Sequence, residues 1–211
     1  IKFNGVELVN GREYAHLTAT SANGTVNGNV DSMPFQSLTI SETGFPPDQT
    51  IINGTFEHDD FESSKGKLLS LIDSYGYENP NGTDPLGYYP EMLAQLDHLA
   101  EQFITEFNNL HEQLYTLDGG PNNPSVLGDA FFTGTSASDI KVSDAILSDH
   151  SKLAASTAEN EEGNGQGALD LAGLQFTGIN GLNGATFQSF YTALVGRIGV
   201  DGQEAERLRF N

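Results

Sequence analysis

The sequence predicts an α+β fold: a small antiparallel β region at the N-terminal side, then a mainly α-helical, rod-like domain built on long heptad-patterned helices. Three observations carry this. Short β-prone runs punctuated by Asn-Gly pairs fill the first 60 or so residues. Composition shifts at about residue 63. Beyond it, apolar residues recur at three- and four-residue spacing along two long stretches, the period of one helix face. The boundary expected from this is 1–62 for the β region and 63–211 for the helical domain.

In the β region the candidate strands are Lys2 to Phe3, Val6 to Val9, Leu17 to Thr20, Leu38 to Ser41 and Thr50 to Phe56. Asn-Gly pairs stand at 4–5, 10–11, 23–24, 27–28 and 53–54. Both residue types tolerate positive φ, which tight hairpin turns demand. Pro34, Pro46 and Pro47 mark edges or loops. Asn-Gly-Thr triplets from Asn23, Asn53 and Asn81 match the glycosylation pattern, but turn chemistry explains them. Glu57, His58, Asp59, Asp60 and Glu62 are ligand-type residues. Adjacent carboxylates in a linker are expected to be solvated instead.

The helical part opens after Ser63 and Ser64 with a short apolar helix over Gly66 to Asp73. A Pro-, Gly- and Asn-rich loop follows over 79–87. Tyr89, Leu93, Leu96, Ala100, Phe103, Phe107, Leu110 and Leu114 then make the strongest pattern in the chain. A helix of that length spans about 39 Å at 1.5 Å per residue. Met92 and Leu99 widen its apolar stripe, and Pro90 suits a first turn. Its exposed face carries Glu91, Asp97, Glu101, Glu106 and Glu112, and no Lys or Arg occurs between Lys67 and Lys141. Tertiary packing must therefore hold this helix, because surface pairing cannot. His98 and His111 read as solvated, on the outer face and the flank.

A turn is predicted at Asp118 to Pro124, after which Phe131 and Phe132 are expected to pack a loop onto the helices. A strand is expected at Ile140 to Val142, a helix over Asp144 to Ala155 and another over Ala168 to Leu174. Asn-Gly turns recur at 180–181 and 183–184. Phe187, Tyr191, Leu194, Ile198, Ala205 and Leu208 form a second heptad, interrupted by Asp201. The seam residues singled out as interface or core are Leu93, Leu96, Phe103, Phe107, Leu110, Phe187, Tyr191, Leu194 and Ile198.

Composition narrows the function classes. The 211 residues contain no Cys, which removes disulfides, thiol catalysis and Cys-based zinc sites. Nine Lys and Arg against 29 Asp and Glu give a net charge of −20. So acidic a chain repels phosphate backbones and anionic lipid, so no nucleic-acid or membrane partner is expected. No apolar run approaches the length of a membrane span. There is no nucleophile elbow (Gly134 to Ser138 fails at its last position) and no Walker lysine loop. The Gly-rich run 163–167 lacks dinucleotide-site spacing, and the loop from Glu159 lacks the Gly and final Glu of a calcium loop. No catalytic residue, cofactor or metal is expected, and the residues favour a secreted or surface-exposed structural protein over an enzyme. The alternative is a secreted carbohydrate-binding or hydrolytic module, whose sugar contacts would come from Tyr75, Tyr77, Tyr88 and Tyr89.

An ordered series of motifs carries a resemblance. It runs through Gly66-Lys67-Leu68-Leu69 with Ile72-Asp73, then Leu93 to His111 with Phe107, Asn108 and His111 at its end. Tyr115, Asp118-Gly119-Gly120 and Phe131-Phe132 follow. Ile140 to Val142 with Ser151 to Ala155, Gly165 to Leu171 and Phe187 to Gly199 complete it, and Gly5 to Gly11 matches a recurring hairpin. In these residues the chain resembles the bacterial flagellar hook-associated protein 1 family, the hook–filament junction proteins. The resemblance covers 64–211 well and 1–12 weakly, and 13–60 does not align. It implies a non-enzymatic subunit of the flagellum, secreted and extracellular, that connects hook and filament by axial self-assembly. It further implies, as partners, copies of itself in an axial ring, hook protein, a second junction protein and a type III export chaperone. Lacking a starting Met, and stopping at Asn211 within a predicted helix, the chain is expected to be a central fragment without the family's terminal coiled-coil segments.

Overall fold

The computed structural model describes residues 2–3, 6–7, 9–10, 13–14, 16–21, 35–41, 55–61, 66–79, 81, 84–116, 125–161 and 163–209. Outside these lie the turns expected at 23–24, 27–28, 53–54 and 118–124, Asn23 and Asn53 of the glycosylation triplets, Pro34, Pro46, Pro47, Glu62, Ser63 and Ser64. Among the described residues there are six α-helices and several small antiparallel sheets, so the fold is helix-rich α+β. No described helix is long and apolar enough to cross a membrane. The chain forms two compact units, Ile1–Leu93 and Ala94–Asn211.

In the first unit, β1 (Lys2–Phe3) pairs with β2 (Val6–Glu7) and β3 (Val9–Asn10) with β4 (Glu13–Tyr14). Phe3 pairs with Val6, so only residues 4 and 5, the first Asn-Gly pair, separate those strands. The run Val6 to Val9, expected as one strand, is divided between β2 and β3, which serve different partners. β5 (His16–Ser21), β6 (Phe35–Ser41) and β7 (Thr55–Phe56) form a three-stranded sheet in that order. Of the strand expected over Thr50 to Phe56, Thr55–Phe56 lies within the described residues.

The short α1 (His58–Phe61) packs beside α2 (Lys67–Tyr75), with Phe61 and Ile72 buried. α2 ends at Gly76, where φ is +118°, a value that only glycine reaches without strain. The adjoining Tyr77–Leu86 bridge and Gly87, at φ +130°, lead into α3 (Tyr88–His111). A Cβ on Gly76 would press on Pro90, and one on Gly87 on the Gly76 backbone, so this entry admits no side chain at either glycine. Pro90 sits in the first turn of α3, where its missing N–H costs no helix bond.

In the second unit α3 closes with tighter bonds: the Gln113 and Leu114 N–H groups donate to the carbonyls of Leu110 and His111. Leu114 is thus beyond the helix yet buried. β8 (Tyr115–Thr116) pairs with β11 (Ala154–Ser156), and β9 (Phe132–Thr133) with β10 (Lys141–Val142). The helix expected over Asp144 to Ala155 is shorter. α4 (Asp144–Ser148) is capped by the Ser143 hydroxyl. Asp149 then turns its carboxylate onto the Ser151 N–H and hydroxyl, which starts a 3₁₀ turn at His150–Lys152 and frees the chain to enter β11. A side chain that bonds its own backbone two residues on competes with helix continuation. α5 (Gln166–Gly173) passes into the 3₁₀ turn Leu174–Phe176, and a second such turn, Asn180–Leu182, ends at Asn183 in the left-handed region. Ile179 and Leu182 are buried there. α6 (Phe187–Arg209) completes the unit.

Candidate functional site

The seam residues fall on α3 and α6. Leu93, in the first unit, is half-buried, as are Leu96, Phe103, Phe107 and Leu110 in the second. On α6 Phe187 is half-buried and Leu194 buried, while Tyr191 and Ile198 are 51% and 37% exposed. Of the nine, Phe103, Phe107 and Phe187 are brought together. The Phe103 and Phe187 rings meet edge-to-face with centroids 5.3 Å apart, and Phe103 and Phe107 are 5.8 Å apart. Phe131 and Phe132 close the other side, with Phe132 5.3 Å from Phe103 and 5.0 Å from Phe107. The two phenylalanines expected to pack a loop onto the helices do so, through rings at separations where aromatic pairs attract.

Beside this aromatic cluster lies an open groove of about 430 Å³. Phe103 and Phe107 of α3, Leu171 and Ala172 of α5, Leu174 just after it and Phe187 of α6 form its apolar lining.

Two polar residues anchor the cluster, and both correct or extend the sequence reading. His111, read as solvated, is fully buried. Its Nδ1–H donates to the Asp129 carbonyl at 2.7 Å, and its Nε2 accepts from the Ala154 N–H at 3.0 Å. The Ala154 bond fixes the neutral tautomer with the proton on Nδ1. Asn108 accepts from the N–H groups of Phe131 and Phe132, each at 2.9 Å, and donates to the Phe132 carbonyl at 2.8 Å. It thereby holds the Phe-Phe pair in place. The signal for burial was present: Ile104, Asn108 and His111 are spaced four and three, one face of a helix. His98 is exposed, as read, but its Nε2–H also donates to the Gly181 carbonyl at 2.8 Å.

Of the ligand-type residues on the first unit, Glu57, Asp59 and Asp60 are exposed, while His58 is half-buried. His58 donates to Asp73 at 2.7 Å and stacks on Tyr77 with ring centroids 3.5 Å apart. Among the described residues no group of three His, Asp or Glu is placed to hold a metal ion. The Ser136 hydroxyl, then the Thr135 and Ser136 N–H groups, hold the Asp139 carboxyl below the usual carboxylate range. Asp149 is lowered likewise, first by the Ser151 hydroxyl and then by its N–H. Both bind loops locally.

No protein-family model matches the chain, and no solved structure matches it. Among curated proteins it is similar to flagellar hook-associated protein 1 of Bacillus subtilis (strain 168), 34% identical over 181 residues that make up 81% of this chain. The chain is a distant relative of flagellar hook-associated protein 1. It spans about a third (34%) of the length of that relative. The similarity gives no support to the carbohydrate-binding or hydrolytic alternative.

Proposed function

We propose that this chain is a structural, non-enzymatic part of the bacterial flagellum, acting outside the cell at the hook–filament junction. The observation that carries the reading is the 34% identity to flagellar hook-associated protein 1 across most of the chain. A protein of this kind would work by packing rather than by chemistry. In the proposal, 63–211 is a rod-like axial domain and 1–62 an outer β domain facing solvent. Copies assemble in an axial ring between hook protein and a second junction protein, after delivery by a type III export chaperone.

The seam on α3 and α6 is the proposed assembly surface. Tyr191 and Ile198, exposed large apolar side chains, support this, since such residues in a line on one helix face suit a helical neighbour. The test is complementation. Full-length protein carrying this region is returned to cells that lack their own junction protein. Restored motility with attached filaments is the expected result. Export without attachment, or no export, overturns the junction role. A second arm carries Tyr191→Glu and Ile198→Glu together. Both sites are exposed, so the protein should remain folded by circular dichroism and lose filament attachment. Attachment equal to wild type would remove the seam from the interface.

A further inference from the structure

α3 ends on a fully buried imidazole, and both ring nitrogens of His111 are committed. Nδ1–H donates to the Asp129 carbonyl, and the Nε2 lone pair accepts from the Ala154 N–H. Three segments therefore meet on one ring: the end of α3, the 128–131 crossing and β11. The surroundings of the ring are apolar. Phe131 lies edge-on at 5.4 Å and Phe107 stacks at 6.4 Å. Gly128 passes so close that an added Cβ would press on both Nδ1 and the Ala154 methyl. Ala154 is buried and stands opposite Thr116 in the β8–β11 pair. The charged and titratable groups on these elements lie outside the pocket. Glu112, next on α3, is exposed, and Tyr115 of β8 is half-buried. The Asp129 carboxylate faces Lys152 at 3.9 Å, and both side chains are largely exposed. Asp149 and His150, before β11, are exposed as well. Among the described residues none of these side chains bonds the ring.

We infer that His111 is an acid-sensitive latch that holds β11 and the 128–132 segment on the end of α3. The reason lies in the valence of Nε2. Its lone pair accepts the Ala154 N–H; a proton in that place makes it a second donor aimed at the first. The same proton puts a positive charge between Phe107, Phe131 and Gly128, where no carboxylate pairs it, and an unpaired buried charge is strongly disfavoured. Solvent can therefore deliver a proton to Nε2 only when the ring and the Ala154 N–H have parted. A released imidazole takes up a proton below about pH 6.5. The open form then binds a proton that the closed form does not, so opening gains as the pH falls through that value, and the latch is fully closed above it. Opening also frees the Asp129 carbonyl, two residues before Phe131, and so loosens the Phe131–Phe132 side of the aromatic cluster. The latch is a property of the second unit and does not depend on the assembly reading above.

The test is amide exchange on the whole chain, followed by NMR between pH 7.5 and pH 5.0, with each rate divided by that of an unstructured chain. The Gly128 N–H, which donates to the Leu114 carbonyl at 2.9 Å, reports beside Ala154. Protection of both amides is expected to fall about thirtyfold over that range, the ratio that one proton bound at about pH 6.5 in the open form alone produces. His111→Gln is the matched variant: its side-chain amide offers one donor and one acceptor and takes up no proton. Protection in that variant should stay level with pH. Should His111→Gln fail to fold by circular dichroism, imidazole nitrogen spectra of the unaltered chain decide. The folded His111 signal should keep a proton on Nδ1 and none on Nε2 at pH 5.0. A folded signal that gains the Nε2 proton while Ala154 protection holds overturns the inference. So does Ala154 protection that is level with pH in the unaltered chain, or that falls equally in His111→Gln.

Discussion

At the residue scale the second unit depends on His111. Its side chain satisfies two backbone groups from different segments, the Asp129 carbonyl and the Ala154 N–H. Gly128 crosses directly over it: a Cβ there would lie 2.9 Å from Nδ1 and 2.6 Å from the His111 carbonyl oxygen. Removing the imidazole leaves a cavity and two unpaired backbone groups. His111→Ala is therefore expected to cost about 3–5 kcal/mol, read as a lowered midpoint in urea unfolding. Asn108→Ala should cost about 2–3 kcal/mol by freeing three backbone groups of Phe131 and Phe132. Its accompanying mark is loss of the aromatic near-ultraviolet signal, because the ring pair is no longer fixed. Asp139 gives a pH dependence. Its folded-state carboxyl is lowered by the Ser136 hydroxyl and by the Thr135 and Ser136 N–H groups. The stabilisation is thus complete above about pH 4 and is lost as the pH falls through the lowered value. Protection of the Thr135 and Ser136 amides should decline only in that acid window in the native chain. In Asp139→Ala, which removes the acceptor, it should be low at every pH.

At the element scale, glycines divide into those the fold needs and those it does not. Gly196 and Gly199 in α6 have nothing within 4 Å of an added Cβ, and both are helical and exposed. Alanine there should stabilise α6 by about 0.5–1 kcal/mol at each site, seen as slower amide exchange along the helix. Gly178→Ala should act the other way, since its Cβ would lie 2.6 Å from the Gly184 carbonyl oxygen, a backbone atom that cannot swing aside. The elements divide similarly in how far they were legible. α3 and α6 follow from three- and four-residue apolar spacing, a signal that twenty-odd residues repeat. The break between α4 and β11 depends on one local bond set at Asp149, which spacing does not encode. The aromatic cluster was foreseeable from Phe103, Phe107 and Phe131-Phe132, but the groove was not. Its third wall, α5, carries too short an apolar pattern to reveal that Leu171 and Leu174 face α3 and α6. His111 misled because the face it shares with Ile104 and Asn108 carries one apolar residue, and its two bonding partners lie 18 and 43 residues away.

For the whole molecule the dominant quantity is charge. Twenty net negative charges on 211 residues repel one another in any compact state. Among the described residues there is little compensation. Lys141–Asp144, Lys152–Asp129 and Arg197–Asp201 are separated by 3.8, 3.9 and 4.0 Å, and their side chains are largely exposed. Exposed pairs of that kind contribute about 0–1 kcal/mol each. Along α3, Asp97 and Glu101 are like charges one turn apart, with Glu106 further on, and no Lys or Arg on the helix. Added salt screens these repulsions: the Debye length falls from about 30 Å at 0.01 M to 3 Å at 1 M. The thermal midpoint is therefore expected to rise by several degrees between 0.01 M and 1 M NaCl, at about 2–4 °C per kcal/mol for a chain of this size. Lysine substitution at Glu101, which stands one turn after Asp97 and turns a repulsive pair into an attractive one, should raise the low-salt midpoint and flatten its salt dependence. A midpoint that stays level or falls with salt would mean that self-repulsion does not limit the fold, and that the apolar seam rather than the charge decides its stability. If the midpoint does rise, a cationic partner segment should stabilise the chain as salt does.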